Sequence, residues 1–143
     1  MGRGGPQGRD GDVEMATVLV VDDDQAIREV VRLVLEQEGH MVREAADGPE
    51  GLNVLRASSQ PLVVLLDDLM PHLSGMEVLA EVARTPALSA RHTYILMTGN
   101  ARMLAGGTTP EMLRLRVLIV SKPFDIIELA ETVNQAASSL PSG

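Results

Sequence analysis

Four short, nearly uncharged runs recur along the chain with helix-length segments between them, and each stops at a polar residue. VLVV ends on Asp22 and Asp23, LVVLL on Asp67, YILM on Thr98, and VLIVS on Lys122. Continuous apolar runs of four to six residues read as strands of a parallel sheet covered on both faces. The first strand runs from Thr17 through Val21. Residues 24–38 then carry Ile27, Val30, Val31, Val34 and Leu35 at helical spacing, with Asp24 placed as N-cap. Gly39 closes that helix, MVREAA makes a second strand, and Asp47 with Pro49 opens a second helix to about Ala57. Leu62 to Leu66 form a third strand, and Ser74 caps a helix to about Arg84. A Pro-containing loop leads to a fourth strand, Tyr94 to Met97. GGTTP interrupts the next segment between ARMLA and EMLRLR, so the fourth helix is expected to be broken or displaced. Val117 to Val120 complete the strands and Asp125 to about Ala137 the helices. The alternation predicts an α/β fold, a doubly wound five-stranded parallel sheet with helices on both faces.

Composition narrows this picture. At 143 residues the chain fits one domain, expected over residues 16–138 after a disordered leader at 1–15 and before a tail at 139–143. One Phe, one Tyr and no Trp leave an aliphatic core and little for stacking on bases. A formal net charge of −8 with scattered Arg argues against nucleic acid and anionic lipid as partners, while a basic protein partner stays open. With no cysteine, no apolar stretch of membrane-spanning length and no signal-peptide core, the expected location is cytoplasmic.

The polar residues at the strand ends carry the chemistry. Open parallel sheets bind ligands beyond the carboxyl ends of their strands, so Asp22, Asp23, Asp67, Thr98 and Lys122 are expected to converge on one crevice. Adjacent carboxylates repel unless a cation neutralises them, and hard oxygen donors select Mg²⁺ or Mn²⁺ over zinc. The plainer reading of Asp22-Asp23-Asp24 is a capped helix start. Either Asp67 or Asp68 has the chemistry of a nucleophile for aspartyl phosphate formation. His40, His72 and His92 are scattered without ligand spacing and read as structural.

At DDLMPHLSG, Asp67 to Gly75, the chain resembles the receiver domains of two-component response regulators, in which the phosphoacceptor Asp stands four residues before Pro in a D-x-x-M-P-x-x-x-G pattern. VVDDD, ILMTG and VSKPF match the family's remaining motifs in order, and the likeness spans residues 16–138. The resemblance implies the flavodoxin-like receiver fold, Asp67 as phosphoacceptor and Asp68 as a neighbouring loop residue. It assigns Asp22, Asp23, Asp67 and the main-chain carbonyl of Leu69 to Mg²⁺ (or Mn²⁺), with Asp23 and Asp67 as direct ligands. Thr98 would bond the phosphoryl oxygens as the switch residue, and Lys122 would balance their charge before a cis bond to Pro123. The implied protein is a stand-alone signalling switch rather than an enzyme. It would take its phosphoryl group from a histidine kinase or phosphotransfer protein, signal through the face of its fourth and fifth helices, and exist as a monomer or weak homodimer.

Two departures matter. The family often has an aromatic residue where Ile119 stands, so either its signal passes through backbone shifts of the 99–116 segment or Ile119 simply fills the core. Leu69 and Asn100 flank the crevice and are expected to tune phosphate lifetime. An apolar Leu69 would shield the acyl phosphate and slow self-dephosphorylation, unless these side chains point away. The competing readings are a degenerate receiver that acts only as an interaction module and a haloacid-dehalogenase-type phosphatase. The latter conflicts with motif order, because Ala26 fills its Thr/Val position and Asp67-Asp68 precede Thr98.

Overall fold

The computed structural model describes residues 14–141, so nearly all of the expected leader and the last two residues of the tail lie outside the described residues. Five strands form one parallel sheet: β1 (Thr17–Val21), β2 (Met41–Ala45), β3 (Val63–Asp67), β4 (Thr93–Thr98) and β5 (Leu118–Ser121), in the order β2-β1-β3-β4-β5. The order reverses between β1 and β3, where a crevice opens beyond the strand ends. Seven helices connect and flank the strands among the described residues: α1 (Gln25–Gln37), α2 (Gly48–Ala57), α3 (Gly75–Ala83), α4 (Pro86–Arg91), α5 (Ala101–Leu104), α6 (Pro110–Leu115) and α7 (Ile126–Ser138).

Side chains that alternate along each strand divide the core into two layers. Val18, Val20, Val63, Leu65, Ile95 and Met97 meet Val31 and Leu35 of α1 and Leu129 and Val133 of α7. Leu19, Val21, Val64, Leu66, Tyr94 and Leu96 meet α2, α3, α4 and α6 on the other face. Asp24, Asp47, Ser74 and Asp125 each accept backbone N–H groups as N-caps, and Ser74 forms a full capping box with Glu77. Gly39 ends α1 at φ +95°, a left-handed conformation that suits glycine.

Two expectations change. Val30 lies on the rim of the α1 stripe and is 44% exposed, so the buried face of that helix narrows to the line through Val31 and Leu35. The Pro-containing loop before β4 holds the six-residue α4, started by Pro86 and anchored by buried Leu88; so short a helix shows no periodicity in sequence. The segment after β4 is broken as expected, into α5 and α6 around Gly106, Gly107 and Pro110. Ile119 is partly buried against the layer that contains α6, which gives it a packing role.

Candidate functional site

The parallel register brings the ends of β1, β3, β4 and β5 level. Val21 pairs with Leu66, Asp67 with Met97, and Thr98 with Ser121, so the residues at and after these positions share one end of the sheet. They line an open cleft of about 420 Å³ that includes Asp22, Asp23, Asp67, Asp68, Leu69, Thr98 and Lys122.

Asp22 is fully buried and Asp67 is 3% exposed. Lys122 reaches across from the end of β5 and donates to both, 3.1 Å to Asp22 Oδ2 and 3.0 Å to Asp67 Oδ1. Burial, opposed by the Lys122 hydrogen bond and reinforced by the charge of Asp22, leaves the Asp67 carboxyl above its ordinary pKa. Burial acts to lower the Lys122 pKa, but the hydrogen bonds and charges of Asp67 and Asp22 outweigh it and hold the ammonium above its ordinary value. The Lys122–Pro123 peptide is cis, as the Lys-Pro pair led one to expect.

Asp23 is exposed at the cleft mouth, and Asp22, Asp23 and Asp67 each offer a carboxylate oxygen within 4.8 Å of the others. Among the described residues, three carboxylates facing one ammonium leave two negative charges without a protein partner. Oxygen donors carrying that charge fit a hard divalent cation such as Mg²⁺ or Mn²⁺.

Two side chains that support this group are silent in the sequence pattern. Arg28 Nη1 donates to the Asp22 carbonyl oxygen at 2.6 Å while its Nε bonds Glu44 Oε1 at 3.0 Å, tying the β1 end to β2 through α1. Arg32 also pairs with Glu44. On the sequence they look like ordinary helix-surface arginines, and only the helix-to-sheet docking gives them partners. Gly75 closes the DDLMPHLSG motif because it has no Cβ: one built there would collide with the Asp67 carbonyl oxygen and stand 3.0 Å from Asp68 Cα.

The remaining site residues behave differently. Thr98 is 1% exposed, and its hydroxyl donates to Asp68 Oδ2 at 2.8 Å while accepting the Asn100 N–H at 2.9 Å. Asp68, a neighbouring loop residue on the sequence reading, is therefore part of the site. Asn100 turns its side-chain oxygen to the N–H groups of Arg102 and Met103 and caps α5. Leu69 is 79% exposed on the cleft rim. His40 and His92 lie outside the cleft, at the opposite end of the sheet.

Comparison with known proteins agrees with this arrangement. The family model for the response regulator receiver domain matches residues 18–134. Transcriptional regulatory protein AfsQ1 of Streptomyces coelicolor is 39% identical over 74 residues, 52% of this chain and 32% of that protein. Response regulator MprA of Mycolicibacterium vanbaalenii is 46% identical over 68 residues, 48% of this chain and 29% of that protein. The aligned regions thus span about a third of the length of these curated relatives. The receiver domain of Francisella response regulator 1452 superposes with a TM-score of 0.71 at 27% identity, covering 86% of this chain and 97% of that one. Vibrio cholerae chemotaxis protein CheY4 gives 0.68 at 28% identity over 85% and 98%. Neither the family match nor these relatives support the phosphatase reading, and the family is one of signalling domains rather than classical enzymes. With its sheet order, its strand-end aspartates and a match spanning most of its length, the chain belongs to the response regulator receiver domain family.

Proposed function

We propose that this domain is a phosphorylation-dependent switch that accepts a phosphoryl group on Asp67 from a phosphohistidine of a histidine kinase or phosphotransfer protein. The observation that carries this reading is the Asp67 carboxylate itself: buried, held by Lys122 and opening on a cleft with two further carboxylates in reach. One Asp67 oxygen attacks phosphorus, the phosphorus–nitrogen bond breaks, and its electron pair returns to the donor imidazole. A carboxylate nucleophile needs no general base, so the protein's task is in-line positioning and charge neutralisation. Lys122 neutralises the phosphoryl oxygens from the β5 side. Mg²⁺ held by Asp22, Asp23, Asp67 and the Leu69 carbonyl would supply the remaining charge neutralisation.

The acyl phosphate adds roughly −1.5 to −2 of charge and new acceptor oxygens beside Thr98. Drawing its hydroxyl inward rearranges the segment from Gly99 to Arg116. That segment holds only short helices to resist: α5 has four residues and α6 six, and Leu104 and Leu113 are exposed. This face of α5 and α6, beside α7, is the surface we assign to the downstream partner, with a monomer or weak homodimer as the oligomeric state. Leu69 on the rim limits water access and makes self-dephosphorylation slow to moderate. Asn100 acts on the phosphate lifetime through its cap on α5.

Intact mass after incubation with acetyl phosphate tests the reading. A single phosphoryl adduct should form with Mg²⁺, persist in Asp68→Asn, and vanish in Asp67→Asn and in metal-free buffer. Because burial raises the Asp67 pKa, Asp67→Asn should also raise the metal-free urea midpoint at neutral pH while abolishing the adduct. Mg²⁺ binding without an adduct, even from a phosphohistidine donor, would instead favour a degenerate receiver acting as an interaction module.

A further inference from the structure

Asp67 is level with Met97 in the β3–β4 register, so the next pair to face each other is Asp68 and Thr98. Consecutive side chains leave a strand on opposite sides, which separates Asp68 from Asp67 and aims it at Thr98. The main chain locks this placement: Asp68 N–H donates to the Met97 carbonyl at 2.9 Å, and the Asp68 carbonyl accepts the Gly75 N–H at 2.9 Å. From there the buried Asp68 carboxylate accepts the hydrogen bond of the Thr98 hydroxyl at 2.8 Å. A hydroxyl has one proton to donate. While Asp68 holds it, Thr98 has none for a phosphoryl oxygen.

We infer that Asp68 is a positioning residue that latches Thr98 in the resting state and sets how strongly phosphorylation must pull to release it. The inference rests on the proposed phosphorylation of Asp67. Among the described residues Thr98 is the one side chain that donates to the Asp68 carboxylate, since Lys122 is committed to Asp22 and Asp67. Releasing Thr98 leaves the Asp68 carboxylate with no side-chain donor among the described residues. It does so just as the neighbouring acyl phosphate adds negative charge, so both the broken bond and the repulsion favour the resting arrangement. The Asn100 N–H, which Thr98 Oγ1 accepts, ties the same hydroxyl to the cap of α5. Release of the latch is thereby transmitted to the 99–116 segment without an aromatic partner at Ile119.

The test has two arms. In the metal-free, unphosphorylated protein, amide exchange at Gly99 and Asn100 should quicken by about tenfold in Asp68→Ala, the size expected for a lost charge-assisted hydrogen bond. Asp68→Asn, which keeps an acceptor oxygen, should restore part of the protection. In the second arm, affinity for beryllofluoride with Mg²⁺ should rise on the order of tenfold in Asp68→Ala and less in Asp68→Asn. In a Thr98→Val background Asp68→Ala should leave exchange unchanged and raise beryllofluoride affinity less than in the parent, because only the charge repulsion remains and the latch has nothing to hold. Equal effects in both backgrounds, or no effect in either arm, overturn the latch. If no variant binds beryllofluoride, the phosphorylation reading fails, and the exchange arm still decides whether Asp68 restrains Thr98.

Discussion

Both ends of the sheet bury polar side chains, and they do so with opposite chemistry. At the amino end His40 immediately precedes β2 and accepts the Ala16 N–H just before β1, at 3.1 Å. His92 immediately precedes β4 and accepts the Leu62 N–H just before β3, at 3.0 Å. Asn134 completes the first pair, 2.8 Å from His40 Nε2 and donating to Glu38 at 3.0 Å. Each histidine satisfies a main-chain donor through Nδ1, although His92 Nε2 is buried without a hydrogen-bond partner among the described residues. At the carboxyl end the buried groups are charged and, among the described residues, outnumber their protein counter-ions. Neutral satisfaction marks structure; buried charge left short of partners marks a place where something binds.

The largest break in that comparison should come from Lys122→Met. It leaves two buried carboxylates without their ammonium and should cost about 3 kcal/mol in metal-free urea unfolding. Mg²⁺ should return part of that loss by binding the folded form, and the phosphoryl adduct should fall sharply. Loss of stability that Mg²⁺ fails to relieve would mean the carboxylates do not hold the ion.

His40→Ala should cost about 2 kcal/mol through two lost, partly buried hydrogen bonds while leaving the rate of Asp67 phosphorylation unchanged. A matching fall in that rate would show that the ends are coupled. The smallest effect concerns His92. Burial first, then the Arg91 charge, pushes its pKa below the ordinary histidine value against the pull of the Leu55 carbonyl. The unfolded chain therefore takes up this proton first as pH falls. The stability contribution is complete above the ordinary histidine pKa and is lost as pH drops through that range toward the lowered folded value. His92→Gln, which keeps an acceptor, should flatten this part of the urea midpoint against pH.

Much of this was legible along the chain because its signals are local. Apolar runs of four to six residues with no alternation read as strands covered on both faces, and Asp24, Asp47, Ser74 and Asp125 announce helix starts through caps that act within three residues. The residues that line the cleft were legible for the same reason: each motif is a strand end and the turn after it. α4 escaped because six residues make no period, and the exposure of Val30 escaped because a helix face has no sharp rim in sequence.

The sequence by itself determined the alternating architecture, the layered aliphatic core and the identities of the residues at the strand ends. Only the tertiary structure decided who faces whom there: Lys122 between Asp22 and Asp67, Arg28 on the Asp22 carbonyl, Gly75 against the Asp67 main chain, and Asp68 on Thr98. The Lys122 and Thr98 contacts join segments far apart in the chain through strand register, while Arg28 and Gly75 reach only a few residues but are placed by how α1 and the turn before α3 dock on the sheet. Register is set by the packing of whole layers, and no short stretch of residues contains it.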